Sequence, residues 1–289
     1  MKQRSKSAVG VVIVGLLPAF LGGPIFAIAI AVLCLTAFYE YNLISKKIGL
    51  APVTAGYLLV PAAAVAAQFG GGEYAVLGLA AAAVAIPVTV EIFQPQLTSS
   101  FVDWALATTG ALYLALPTFA AISLRRGHGD ITANWLHDLA DWVSLGWEPA
   151  PRGLAWILTV ILVTWLSDTG AYLVGRSLGR RKLIPTVSPN KTWEGLVGGI
   201  VAATITGVLC ASLFGLEISL LLAAAVGLIL AIVGVIGDLT ESLIKRQAGV
   251  KDSGTLIPGH GGMLDRIDAL LFTFPAGLFL AHIVDRYLT

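Results

Sequence analysis

The sequence predicts an all-α, polytopic integral membrane protein with about nine transmembrane helices and a cytoplasmic N-terminus. Three observations carry that expectation. The chain is 57% hydrophobic and only 12% charged, with a mean hydropathy of +0.86, which excludes the soluble classes. Apolar segments recur near 8–22, 24–44, 52–69, 74–90, 103–123, 153–175, 194–214, 217–240 and 266–286, most of them close to the roughly 20 residues that a hydrocarbon core of about 30 Å requires. Lys and Arg gather in alternate connections, as the positive-inside bias demands.

The first segment follows Lys2, Arg4 and Lys6 and ends at Gly22, Gly23 and Pro24. Another apolar run begins at once, so it reads as one arm of a tight helical hairpin rather than as a removable signal peptide. Continuing from a cytoplasmic N-terminus, the inner connections carry Lys46 and Lys47, then Arg176, Arg180, Arg181, Lys182 and Lys191, then Lys245, Arg246 and Lys251. Arg125 and Arg126 are the exceptions.

Pro61, Pro87, Pro117 and Pro275 fall inside or at the ends of apolar segments and read as kinks, because neighbouring groups in a bundle satisfy the freed carbonyl. Residues 131–147 contain His137, Asp138 and Asp141, yet Trp135, Leu139, Trp142 and Val143 recur at helical spacing. This stretch reads as an amphipathic helix in an external loop. Cys34 and Cys210 sit singly in apolar runs, which indicates neither a disulfide framework nor a zinc site. The chain is expected to form one membrane domain, 1–289, with N-terminal helices over 1–123, the external loop over 124–152 and a catalytic half over 153–289.

Polar residues concentrate in two islands. In the first, Asp238, Glu241, Ser242 and Lys245 are spaced i, i+3, i+4 and i+7, which puts them on one helical face. Asp265 and Asp268, again i and i+3, open the last span. The three aspartates Asp238, Asp265 and Asp268 suit Mg²⁺, which takes one or two carboxylates and completes its shell with water and phosphate oxygens. The competing reading is ion pairing with Lys245, Arg246 and Arg266. Between the two helices, Gly249, Gly254, Gly259, Gly261 and Gly262 form a loop whose N–H groups can approach an anion. Arg246 and Lys251 add forked and point-charge donors. His260 fits a phosphate-binding or a structural role better than that of base or metal ligand.

The second island runs from Ser167 to Glu194. Asp168 lies within an apolar span, where a carboxylate calls for a cation or a partner. Asn190, Lys191 and Thr192 match a glycosylation pattern, but the basic inner placement argues against that use. Thr192 instead fits a helix cap, with Lys191 and Thr192 forming a phosphate-binding corner. Gly195 and Gly199 form a small-xxx-small pair suited to close helix contact. No Walker A or dinucleotide-binding glycine pattern occurs.

The stretch Ser242 to Asp268, with S-x-x-K-R, K-D-x-G, H-G-G and D-R-x-D at these spacings, resembles the signature of phosphatidate cytidylyltransferases, the CDP-diacylglycerol synthases. SD-x-x-AY at 167–172 and SPNKTWEG at 188–195 are similar to that family's other motifs. In the N-terminal half only the hydrophobic layout agrees. The resemblance implies an enzyme of phospholipid biosynthesis that joins CTP and phosphatidate into CDP-diacylglycerol and releases pyrophosphate, with Mg²⁺ as cofactor. It implies a bacterial-type plasma membrane and admits a second cation and a homodimer; the loop charges put the active site on the cytoplasmic side, and a net charge of only +1 argues against a nucleic-acid partner.

On that basis Asp238, Asp265, Asp268, Lys245 and Arg266 are the expected catalytic residues. Lys191, Thr192, Ser242, Arg246, Lys251, His260, Gly261 and Gly262 are expected to bind substrate. Asp238, Asp265 and Asp268 are the expected metal ligands, with Asp168 as a weaker candidate. The rival from another class is a cation-coupled transporter, whose acids would line an ion pathway. The D-x-x-D-G-x-x-A-R pattern of CDP-alcohol phosphotransferases is absent.

Overall fold

The computed structural model describes residues 15–49, 54–94, 100–144, 147, 149–256 and 261–287. Their order is α1 (Gly23–Lys47), α2 (Ala55–Gln68), α3 (Glu73–Ile92), α4 (Ser100–Arg125), α5 (Asn134–Val143), α6 (Pro151–Leu178), β1 (Lys182–Ile184), β2 (Ser188–Thr192), α7 (Trp193–Phe214), α8 (Leu220–Gln247), α9 (Leu264–Ile267) and α10 (Leu270–Tyr287). The all-α, polytopic expectation holds. Among the described residues seven helical runs are long and apolar enough to cross a bilayer: α1, α3, α4, α6, α7, α8, and Leu264–Arg286, which joins α9 to α10.

The expected count of nine is not reproduced. The segment at 52–69 yields only the 14 residues of α2, about 21 Å at 1.5 Å per residue. The segment at 8–22 lies largely outside the described residues. Its described end, 15–21, is helical and breaks at Gly22 and Gly23, whose φ of 65° and 52° are left-handed. Pro61, Pro87, Pro117 and Pro275 all lie inside helices, as expected.

The chain forms two compact units. One comprises Pro24–Ser123 and Ile244–Ile267; the other comprises Leu16–Gly23, Leu124–Leu243 and the chain from Asp268 onward. α8 runs from the second into the first.

In the first unit, the C-terminal half of α1 buries one face, with Ala37, Phe38, Glu40, Tyr41, Asn42, Ile44 and Ser45 all inside and Tyr39 exposed. Phe38 meets Tyr57 edge-on with ring centroids 4.9 Å apart, an arrangement favoured by the ring quadrupoles. The Tyr41 hydroxyl donates to the Leu106 carbonyl at 3.2 Å. The absent side chain of Gly110 leaves the space that the Tyr41 ring fills.

In the second unit, α6 and α7 pack backbone to backbone. A β-carbon on Gly195 would lie 2.9 Å from the Ala171 carbonyl, and one on Gly199 would lie 3.0 Å from that of Ser167. The small-residue reading of this pair is therefore correct. Arg125, an exception to the charge count, is 2% exposed. Its guanidinium donates to the carbonyls of Ala19 at 2.6 Å, Pro149 at 3.1 Å, Ala150 at 3.3 Å and Phe20 at 3.4 Å. It is a staple between chain segments, outside the scope of a loop-charge rule. α5 buries Leu136 and Ala140 and leaves Trp135 and Trp142 exposed; the side chain of Trp135 donates to the Leu213 carbonyl at 3.0 Å.

Candidate active site

The polar residues singled out by the sequence assemble into two clusters, one in each unit. The cluster of the second unit forms around the β1–β2 hairpin, an element that hydrophobic periodicity does not reveal. Lys182 pairs with Thr192 and Ile184 with Ser188 across an irregular antiparallel register. Pro189 lies in β2, and a strand with only one neighbour tolerates it.

Thr192 ends β2 and caps α7. Its backbone is extended, and its Oγ1 accepts from the Gly195 N–H at 3.1 Å, the bond that an N-cap threonine supplies. Glu194, in the first turn of α7, accepts from the backbone N–H groups of Arg180 and Arg181 at 3.0 and 3.2 Å. The hairpin is thereby tied at both ends to α7.

This fixes Lys191, the residue before the cap. Its Nζ lies 2.6 Å from Oδ2 of Asp238 on α8. Ser242, one turn further along, donates to Asp238 Oδ1 at 3.3 Å. Asp168 on α6 feels the charges of both Asp238 and Lys191. Asp268 follows α9, where its backbone carbonyl lies against Gly237 of α8 and its Oδ1 accepts from the Ala269 N–H at 2.7 Å. The structure thus brings Asp168, Lys191, Asp238 and Ser242 into one electrostatic neighbourhood, with Asp268 on the adjoining helix seam. Tyr172, of the SD-x-x-AY element, is exposed.

The cluster of the first unit centres on Asp265. Its Oδ1 takes the Lys245 ammonium at 2.6 Å, and both side chains are largely buried, at 13% and 8% exposure. Its Oδ2 accepts from the Ser253 N–H at 2.9 Å, the Ser253 hydroxyl at 2.9 Å and the Gly262 N–H at 2.8 Å. Gly261 has a φ of 83°, and a side chain there would crowd Asp265. The N–H groups of Ser253 and Gly262 are therefore turned onto the protein's own carboxylate. Arg246, Lys251 and Arg266 are exposed, while His260 lies outside the described residues.

The sequence reading missed Glu40. This carboxylate of α1 is 3% exposed and accepts from the Ser253 hydroxyl at 3.0 Å, the Met263 N–H at 3.0 Å and the Leu264 N–H at 2.8 Å. A signal existed: a glutamate inside an apolar span is as anomalous as Asp168.

Among the described residues no three His, Cys, Asp or Glu side chains form a ready-made metal cage. Mg²⁺ needs only one or two protein carboxylates. Asp168 and Asp238 set two negative charges against the one positive charge of Lys191, and this surplus suits a hard cation. At Asp265, by contrast, a cation would compete with Lys245 for Oδ1.

A model of the cytidylyltransferase family matches residues 2–284. The protein named phosphatidate cytidylyltransferase in Staphylococcus saprophyticus is 41% identical over 189 residues, covering 64% of this chain and 72% of that relative. Those of the same name in Staphylococcus haemolyticus and Staphylococcus epidermidis are 48% identical over 123 residues and 45% identical over 129 residues. These two alignments cover 43% and 45% of this chain, and 47% and 50% of the respective relatives, so the matched stretch spans about half their length.

Proposed function

The chain belongs to the cytidylyltransferase family, and on that premise we propose that it transfers the cytidylyl group of CTP to phosphatidate, forming CDP-diacylglycerol and pyrophosphate for phospholipid synthesis. The observation that carries this reading is the extent of the family match, which runs across both carboxylate–lysine clusters.

In the proposed step, a phosphate oxygen of phosphatidate attacks the α-phosphorus of CTP. A new O–P bond forms, the bond from the α-phosphorus to the bridging oxygen breaks, and pyrophosphate leaves with the electron pair. The attacking oxygen is already ionised near neutral pH, so neither a strong base nor a protein nucleophile is required. The protein's work is positioning and charge neutralisation.

We assign Mg²⁺ to Asp238, with Asp168 and Asp268 as further carboxylates of the same unit, and give Asp265, already held by Lys245, a separate charge-bearing role in its own unit; when bound, the ion would neutralise charge on the phosphate oxygens. Lys191 and Lys245 hold Asp238 and Asp265 in place. Arg246, Lys251 and Arg266, all exposed, donate to the triphosphate. A cytoplasmic placement gives these residues access to CTP, and the phosphatidate tails stay in the bilayer.

Incorporation of radiolabelled CTP into lipid by the purified protein tests the reading. Label should enter lipid only when phosphatidate and Mg²⁺ are both present, with pyrophosphate released in equal amount. Cation-driven uptake into vesicles without CTP, and no lipid labelling, would overturn it in favour of transport.

A further inference from the structure

We propose that Glu40 is a positioning residue for Asp265, so that the N-terminal half of the chain sets the geometry of the C-terminal glycine-rich loop; the inference rests on the cytidylyl-transfer reading for its catalytic consequence. The Ser253 hydroxyl carries one hydrogen, yet its oxygen lies 3.0 Å from Glu40 Oε2 and 2.9 Å from Asp265 Oδ2. It also receives the Asp265 N–H at 3.3 Å. The two carboxylates therefore share a single bridging group, and displacing either one moves the other.

Glu40 also grips the turn that carries Asp265. Its Oε1 and Oε2 take the N–H groups of Met263 and Leu264, the two residues before Asp265. With Glu40 removed, the buried Leu264 N–H and the part-buried Met263 N–H would both lose their acceptor, a costly loss where water cannot replace it.

The glycines of the loop fit this grip. A β-carbon on Gly254 would strike Glu40 Oε1, and one on Gly262 would strike both Ser253 Oγ and Glu40 Oε2. At these two positions the signature glycines make room for a glutamate more than 200 residues earlier in the chain. Glu40 itself is held firmly, because Phe38 and Tyr41 on either side of it are locked by Tyr57, Leu106 and Gly110.

The test uses the full-length protein in lipid nanodiscs, comparing wild type with Glu40→Gln and Ser253→Ala. Gln keeps the shape but replaces one acceptor oxygen with a donor. In Glu40→Gln the amides of residues 262–265 should exchange with solvent about 10- to 100-fold faster, while exchange in α6 and α7 stays unchanged. CTP-dependent turnover should fall by a similar factor in kcat, with KM for phosphatidate within about twofold of wild type, the pattern of a lost transition-state interaction.

Ser253→Ala should shift both readouts in the same direction but less, since it removes the bridge and leaves the grip on Met263 and Leu264; it also decides the question if Glu40→Gln fails to fold. Unchanged exchange at 262–265 in the folded variants, or faster exchange with wild-type kcat, would overturn the proposal. A wild-type protein with no CTP-dependent turnover would sink the reading beneath it, while exchange would still report whether Glu40 holds the turn.

Discussion

Lys191 Nζ lies 2.6 Å from Asp238 Oδ2, joining the end of a basic β-hairpin to the polar stripe with which α8 ends. The side chains are 26% and 30% exposed. A pair of that accessibility is worth only about 0–1 kcal/mol to folding, so its value lies in the site. Lys191→Met should leave the thermal midpoint nearly unchanged and lower kcat/KM for CTP by about 100-fold, an effect of roughly 2.7 kcal/mol at 1.36 kcal/mol per factor of ten. Turnover of Lys191→Met within a few-fold of wild type would remove Lys191 from the mechanism.

The Lys245–Asp265 pair is different, because burial raises the stakes. Breaking a buried pair by removing one partner costs about 3–5 kcal/mol, whereas removing both charges is often close to neutral. Asp265→Asn should therefore abolish transfer and also lower thermal stability in detergent. The double variant Lys245→Met/Asp265→Asn should recover much of that stability without any turnover. If the double variant is no more stable than Asp265→Asn, the cost arises from the loop N–H groups on Oδ2 instead of from the stranded lysine.

These two pairs also mark how far the sequence alone could be read. Asp238, Lys245 and Asp265 stand out as charges in an apolar chain, and the Thr192 cap and the Gly195/Gly199 contact follow from local spacing. The Lys245–Asp265 pair is one of the ion pairings that the residue types themselves offer, but the partners of Asp238 and Ser253 are not legible. Lys191 reaches Asp238 only because residues 182–192 form a hairpin, and its two short strands carry Pro189 and four basic or hydroxyl residues without a clean alternation. Glu40 meets Ser253 across 213 positions, and no local period records such a contact. Composition alone points the loop glycines at a phosphate and is silent on the contact the fold makes, in which the N–H groups of Ser253 and Gly262 are directed at Asp265.

That redirection makes a steric prediction. A methyl group at Gly262 has no room beside Ser253 Oγ and Glu40 Oε2, whereas one at Gly249 meets nothing within 4 Å and suffers only from its φ of 64°. Gly249→Ala should cost about 1 kcal/mol of backbone strain and keep most activity. Gly262→Ala should lose activity by more than about tenfold, because overpacking forces shifts worth about 1–3 kcal/mol. Thermal unfolding and CTP incorporation, measured on both, should separate them. Equal losses would mean that the loop responds to flexibility alone.

The seam between α6 and α7 yields a stability test away from the chemistry. A side chain at Gly199 must fit within 3.0 Å of the Ser167 carbonyl and 3.1 Å of the Ala171 methyl, while Gly78 on α3 has open space. Gly199→Val should therefore destabilise the protein by about 1–3 kcal/mol, and Gly78→Val should be almost silent. Because Asp168 follows Ser167 on α6, Gly199→Val should also reduce turnover. A midpoint equal to that of Gly78→Val would mean the helices separate at little cost.

Charge balance around Lys191 leads to the metal prediction. Asp168 and Asp238 together carry one more negative charge than Lys191 offsets, and a divalent ion completed by water and phosphate oxygens suits that surplus. Chelation should stop turnover, and added Mg²⁺ should restore it. Asp238→Asn should raise the Mg²⁺ concentration for half-maximal turnover by about tenfold or more, with Asp168→Asn shifting it less, since each lost carboxylate removes about one pairwise attraction from a partly screened site. If Asp238→Asn lowers kcat but leaves the Mg²⁺ dependence where it was, Asp238 orients Lys191 instead of holding the ion. The surplus charge would then belong to Asp168 and Asp268.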